Sequence, residues 1–134
     1  LILDTSALIR ILRDRDFFEE LSARISESIR ITSITAYELQ RGALYLMLKK
    51  GRDYEWNQIA ALLSEIEILP FTQRDSEISA RIWAKLRENG LEINDADIMI
   101  SAIAIRENEK LLTLDRDFEI IGRFLELEVE ILGG

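Results

Sequence analysis

What most constrains this chain is the alternation of very short aliphatic runs with longer stretches of helical period. The runs are "LIL" at Leu1–Leu3, "IRITS" from Ile29 to Ser33, "IEILPF" from Ile66 to Phe71, and "KLLTL" from Lys110 to Leu114. In the tail "FLELEVEIL", Leu125, Leu127, Val129 and Ile131 alternate with Glu126, Glu128 and Glu130. The tail has the two-residue period of a half-exposed strand, and its row of acids would discourage edge-to-edge pairing. The other runs are too short for helices and too apolar for loops, so they predict buried strands.

The intervening stretches predict helices. "ITAYELQRGALYLMLKK" carries apolar residues on more than one face and stops at Gly51, while "DYEWNQIAALLSEI", "TQRDSEISARIWAKLRENG" and "NDADIMISAIAIRENEK" follow. The last is apolar except at its ends. Strands alternating with helices predict an α/β layered fold around a mainly parallel sheet, with function at the carboxyl ends of the strands. No repeat and no linker rich in Pro, Gly or Ser divides the 134 residues, which predicts a single domain over 1–134.

Composition removes whole classes of chemistry. There is no histidine and no cysteine, hence no Ser-His-Asp triad, no imidazole acid–base pair, no thiolate nucleophile and no disulfide. Any hydrolysis must run on carboxylates, with a hard metal ion as the natural companion. The net charge of −8 argues against a simple nucleic-acid-binding module, which usually shows a basic footprint. No apolar run approaches the roughly 18 residues of a membrane span, and no signal-peptide series opens the sequence, so a cytoplasmic home is expected.

The carboxylates that matter are those delivered by strand ends. Asp4 follows the first run directly, and Asp115 follows "LLTL" in the same way. Asp95 and Asp97 open the "DIMISAIAI" helix, and Glu38 lies about one turn into the helix entered from "RITSIT". Taken singly, each has a plain structural reading. Asp4 and Asp115 can be helix caps, Asn94 or Asp95 is a strong N-cap candidate, and Glu38 can be a solvated helix residue. Asp75 and Asp117 read as helix-start acids favoured by the dipole. Convergence would change the physics, because several carboxylates within a few ångströms cannot all stay ionised without a cation or a proton. Mg²⁺ or Mn²⁺ would supply the compensation through oxygen ligands.

In order along the chain, "LILDTSALI", "TSITAYELQRGA", "DADIMISAIA" and "LLTLDRDF" resemble the four acidic motifs of PIN-domain ribonucleases, and most closely those of the VapC toxins of prokaryotic toxin–antitoxin pairs. The resemblance runs from Asp4 to Phe118. No single motif is specific, and the signal lies in all four occurring in order at appropriate spacing. It implies a PIN-like three-layer α/β/α domain with a mainly parallel central sheet. It also implies a metal-dependent endoribonuclease whose catalytic and metal-binding acids are Asp4, Glu38, Asp97 and Asp115. Thr113 matches the family's supporting hydroxyl, expected to orient a carboxylate or a water, and Asp95 is an extra acid that either caps the helix or shares the metal. Mg²⁺ or Mn²⁺ is the implied cofactor, and RNA, a VapB-like antitoxin and a second copy of the chain are the implied partners.

Arg10, Arg13 and Arg41 are the candidates for phosphate contacts beside the acids, whereas Lys49, Lys50 and Arg52 read equally well as solvated helix charge. Two other classes stand beside the nuclease. A receiver-like domain would want paired acids at the first strand end and a lysine after the last, and "LLTLDRDF" has no such lysine. A phosphotransferase with an aspartate nucleophile would usually show an acid two residues after Asp4, where Ser6 stands. A PIN-like module that binds RNA or protein without catalysis remains the third alternative.

Overall fold

A computed structural model describes residues 1–133. The chain runs β1 (Ile2–Leu3), α1 (Thr5–Arg13), α2 (Arg15–Arg24), β2 (Arg30–Thr32), α3 (Ser33–Lys50), α4 (Tyr54–Leu63), β3 (Glu67–Leu69), α5 (Gln73–Glu88), α6 (Asp95–Glu107), β4 (Leu111–Thr113), α7 (Asp117–Phe124) and β5 (Val129–Ile131). The strands form one sheet in the order β3-β2-β1-β4-β5. Every pairing is parallel: Ile2 faces Arg30 and Leu111, Thr32 faces Leu69, and Thr113 faces Ile131.

The two-residue period of the strands divides the core in two. Ile2 and Leu111 point to the face covered by α5, α6 and α7, where they pack with Ile82, Ile103, Phe118 and Ile121. Leu3 and Leu112, one residue further along, point to the face covered by α1 to α4, with Leu8, Phe17, Ile31, Leu39 and Ile59. The result is a three-layer α/β/α arrangement. The central residues Ile2, Leu3, Ile31, Leu111 and Leu112 are apolar and buried because both faces of the sheet are covered, whereas the edge strands β3 and β5 carry Glu67 and Glu130.

Strand order positions the functional end. The chain moves outward from β1 to β2 and β3 with its helices on one face, then returns past β1 to β4 and β5 with its helices on the other. Right-handed crossovers force that change of face when the direction of winding reverses. The reversal falls between β1 and β4, and beyond the carboxyl ends of such a strand pair the flanking loops diverge to leave a crevice.

Short polar side chains start the helices. Asp4 caps α1 by accepting from the Ala7 amide, Asp14 caps α2, Thr32 caps α3, and Asn94 caps α6. Thr72 and Asp75 form a reciprocal capping box on α5. At the other end, Gly51 takes a left-handed conformation (φ 63°) that closes α3, as its position in the sequence predicts.

The structure departs from the sequence reading in two elements, the tail strand and α2. The predicted tail strand is shorter, since Phe124 ends α7 and only Val129–Ile131 pairs. The helix α2 had no counterpart in the prediction; its polar sequence "RDFFEELSAR" buries only Phe17 and Leu21. The apolar excess of α3 is not all core: Tyr37, Leu44, Tyr45 and Leu48 are exposed, Leu48 by 76%. Among the described residues no helix is long and apolar enough to cross a membrane.

Candidate active site

Asp4 sits at the bottom of the crevice, only 3% exposed, where β1 gives way to α1. Its cap role and its position at the strand end coexist: Oδ1 accepts from the Ala7 amide at 2.9 Å while Oδ2 accepts from the Thr113 hydroxyl at 2.6 Å. Ser6 Oγ lies 2.9 Å from both carboxylate oxygens and itself accepts from the Leu114 amide. Burial pushes the Asp4 carboxyl above its ordinary range despite these donors, and the neighbouring Asp115 charge pushes the same way.

Thr113, fully buried at the end of β4, holds the opposite wall. Besides donating to Asp4, its oxygen accepts from the Asp115 amide at 2.9 Å, which fixes the turn that presents Asp115. The Asp115 carboxylate in turn accepts from the Asp117 amide at 2.9 Å. Glu38, one turn into α3, accepts from Thr5 Oγ1 at 2.6 Å, and the Thr5 oxygen in turn accepts from the Thr35 hydroxyl at 3.1 Å. Asp97 comes from the first turn of α6, where Asn94 donates to its carboxylate at 2.9 Å.

The four acids named from sequence share one electrostatic neighbourhood. The Asp97 carboxyl is pushed up to about 6, first by burial and then by the charges of Asp115, Asp4 and Glu38, with the Asn94 bond opposing. A carboxyl repelled by three others is a site short of positive charge. Asp97, Asp115 and Asp117 can place one ligand oxygen each within 4.8 Å of one another, a spacing that fits a hard divalent cation. The residues present therefore suit such an ion: oxygen donors only and several negative charges.

Asp95 does not cap α6. It stands exposed at the first position of α6, the cap is Asn94, and it is not in the ligand cluster. Asp117, read from sequence only as a helix-start acid, does begin α7 and also belongs to that cluster. The i, i+2 spacing of "DRD" was the available signal. The hydroxyls of Thr5 and Ser6 were missed as supports, because a hydroxyl after a strand reads equally well as a local cap.

The arginines divide. Arg10 bonds Asp14 at 3.2 Å and stacks on Phe17, so it is engaged at the α1–α2 corner. Arg41 lies 3.6 Å from Glu38. Arg13 lines a groove between α1, α3 and α4 with Ile9, Leu39, Leu46, Ile59 and Glu38.

A parallel sheet wound in the order 3-2-1-4-5, with acids gathered at its switch point, is the architecture of a PIN domain. The PIN domain family model matches residues 1–123, and the chain belongs to that family. Ribonuclease VapC2 of Rickettsia felis is 33% identical over 96 residues, covering 70% of this chain and 67% of the relative. Among solved structures, VapBC2 of Rickettsia felis bound to a DNA fragment from its promoter is 25% identical with a TM-score of 0.82, covering 98% of both chains. FitAcB of Neisseria gonorrhoeae is 25% identical with a TM-score of 0.76, covering 96% of this chain and 94% of that one.

Proposed function

We propose that this protein is a metal-dependent endoribonuclease and the toxin of a toxin–antitoxin pair. The observation that carries the reading is the meeting of Asp4, Glu38, Asp97 and Asp115, from four distant segments, in the crevice between β1 and β4 of a chain without histidine or cysteine. The likeness to a relative named as a ribonuclease supports it. We assign Asp97 and Asp115 as principal metal ligands with Asp117 beside them, and Asp4 and Glu38 as the acids that complete the site. When bound, Mg²⁺ or Mn²⁺ would neutralise the cluster and polarise a phosphodiester and a water.

The chain's own contribution is preorganisation. Thr113 and Ser6 hold Asp4, and Thr5 holds Glu38, so neither carboxylate has to be ordered when RNA arrives. Hydrolysis would form a P–O bond from water and break the P–O bond to the departing ribose oxygen, which takes up a proton as the water gives one up, without a covalent enzyme intermediate. Arg13 and Arg41 are assigned as the phosphate contacts because Arg13 lines the groove that Glu38 also lines and Arg41 lies 3.6 Å from Glu38, whereas Arg10 is turned to Asp14 at the α1–α2 corner.

The antitoxin would be a VapB-like chain. The groove between α1, α3 and α4 offers an apolar floor with Glu38 on its rim, so an apolar segment carrying an Arg or Lys could reach the acids and block them. A homodimer would bury the exposed Leu44, Tyr45 and Leu48 of α3, and a cytoplasmic setting suits a cellular RNA substrate. Purified protein incubated with structured cellular RNA, with Mn²⁺ or with EDTA, tests the reading. Cleavage only with metal, abolished in Asp4→Asn, is expected; equal cleavage in both tubes would sink it.

A further inference from the structure

We propose that Trp83 with Arg87, and Tyr37 with Arg41, form two base-stacking platforms that seat single-stranded RNA on either side of the acid cluster. The inference rests on the ribonuclease reading and deepens it by naming how the substrate is held.

Among the described residues, three arginines lie over aromatic rings. Arg10 is 4.6 Å from the Phe17 ring, but Phe17 is buried, so that pair is packing. Arg41 lies 5.1 Å from Tyr37 and Arg87 lies 4.9 Å from Trp83. In these two pairs the aromatic residue is itself 57% and 47% exposed, and the arginine side chains are 58% and 50% exposed. Each offers an aromatic ring to a base, and its guanidinium, which now faces Glu38 at 3.6 Å or Glu92 at 3.0 Å, would exchange that carboxylate for the adjoining phosphate.

Their placement is what points to substrate. Tyr37 precedes Glu38 directly, on the side of the sheet covered by α3. Trp83 and Arg87 lie in the last turns of α5, which runs antiparallel to α6: Asp75 near the start of α5 bonds Arg106 near the end of α6. Trp83, Leu86 and Arg87 share a crease with Ile98, the residue after Asp97, on the opposite side of the sheet. The two pairs therefore stand on opposite faces of the sheet, one next to Glu38 in the sequence and the other packed against the residue that follows Asp97. A strand reaching from one to the other crosses the acids.

The arrangement also answers the charge problem. A chain of net charge −8 has little general attraction for a polyanion, so affinity must come from contacts other than bulk charge. Stacking on an aromatic ring contributes roughly 5- to 150-fold in affinity per base and tolerates any sequence. It also selects unpaired RNA, because a base in a duplex has no free face. Among the described residues, no guanidinium stacks on the apolar stripe further along α3, Leu44, Tyr45 and Leu48, which does not share this chemistry.

The test compares a fluorescent oligoadenylate with the same sugar–phosphate backbone lacking bases, titrated in EDTA against the full Asp4→Asn chain so that nothing is cut. Trp83→Leu and Tyr37→Leu, which keep an apolar side chain, should each weaken oligoadenylate binding at least about fivefold. Trp83→Phe and Tyr37→Phe should retain it, and none of the four should alter binding of the abasic strand. Equal loss on both strands, or no loss on either, would overturn the proposal. So would a Trp83→Leu chain that changes from dimer to monomer in sedimentation while binding oligoadenylate normally, since the ring would then face a second copy. Because this assay contains no metal and scores no cleavage, its result is independent of the ribonuclease test. Base-dependent binding without Mn²⁺-dependent cleavage would keep the platforms and sink the nuclease; cleavage without base-dependent binding would do the reverse.

Discussion

The Thr113 hydroxyl donates to Asp4 Oδ2 at 2.6 Å, joining two residues 109 positions apart in the sequence. The bond ties the end of β4 to the end of β1 across the point where the sheet reverses its winding, and the same oxygen accepts from the Asp115 amide. One fully buried side chain thus orients one acid and the backbone of another. Thr113→Val keeps the shape and removes both interactions. It should lower cleavage roughly 10- to 100-fold, as loss of a group that orients a ligand usually does. It should also cost about 1–3 kcal/mol by urea unfolding, because the Asp115 amide loses its acceptor. Thr113→Ser should restore most of both.

Metal should act as a ligand for the folded state. At a concentration 100 times its dissociation constant, Mg²⁺ or Mn²⁺ should stabilise the fold by about 2.7 kcal/mol. A melting scan with and without EDTA reads this, and an unchanged midpoint at millimolar metal would count heavily against the site. Asp97→Asn should melt higher than the parent in EDTA, since one repelling charge is gone, and should respond little to metal.

The acids also predict a pH dependence with a definite sign. Asp97 titrates near 6 in the folded chain against an ordinary 3.8, so between those values the folded state holds a proton that the unfolded state releases. Metal-free stability from this group should therefore fall as pH rises from about 4 to about 6, then level off. Asp14 and Glu109, both lowered, contribute in the opposite direction. The clean measurement is the difference between parent and Asp97→Asn urea midpoints across pH 4–8 in EDTA; a flat difference would contradict the burial and repulsion assigned to Asp97.

Neutral substitutions should sort ligands from neighbours. Asp95→Asn should leave cleavage nearly intact, because Asp95 is exposed and outside the cluster. Asp97→Asn should abolish it, and Asp117→Asn should weaken metal binding in a calorimetric titration. Asn94→Ala should cost about 1 kcal/mol through the lost cap of α6. If Asp95→Asn proved the most damaging of these, the assignment of Asp97 would be wrong.

Far from the crevice, Asp75 is fully buried and bonded by Arg106 Nε at 2.6 Å, while Arg106 also donates to the Pro70 carbonyl. Arg106→Leu should destabilise the chain by about 3 kcal/mol, since it strands a buried carboxylate. Asp75→Asn in the same background should recover part of the loss. Urea unfolding of the single and double variants checks both.

The alternation of short apolar runs with helices was readable from sequence because periodicity is local: a two-residue or 3.6-residue repeat is complete within one element. The parallel α/β class followed from it, whereas Asp4, Glu38, Asp97 and Asp115 were singled out by the resemblance of four motifs, taken in order, to those of PIN-domain ribonucleases. What only tertiary structure decided was adjacency. Nothing in "LLTLD" says that β4 lies beside β1 rather than β3; whole-chain packing and the hand of the crossovers settle that, and with it the meeting of Thr113 and Asp4. The same holds for Asp117 in the ligand cluster and for the hydroxyls of Thr5 and Ser6, whose local reading as caps was as good as any other. It holds too for Trp83, an ordinary apolar position of a helix until its surroundings leave nearly half of the residue in water. Periodicity belongs to neighbours along the chain, whereas charge repulsion, burial and stacking depend on which distant segments the sheet brings together.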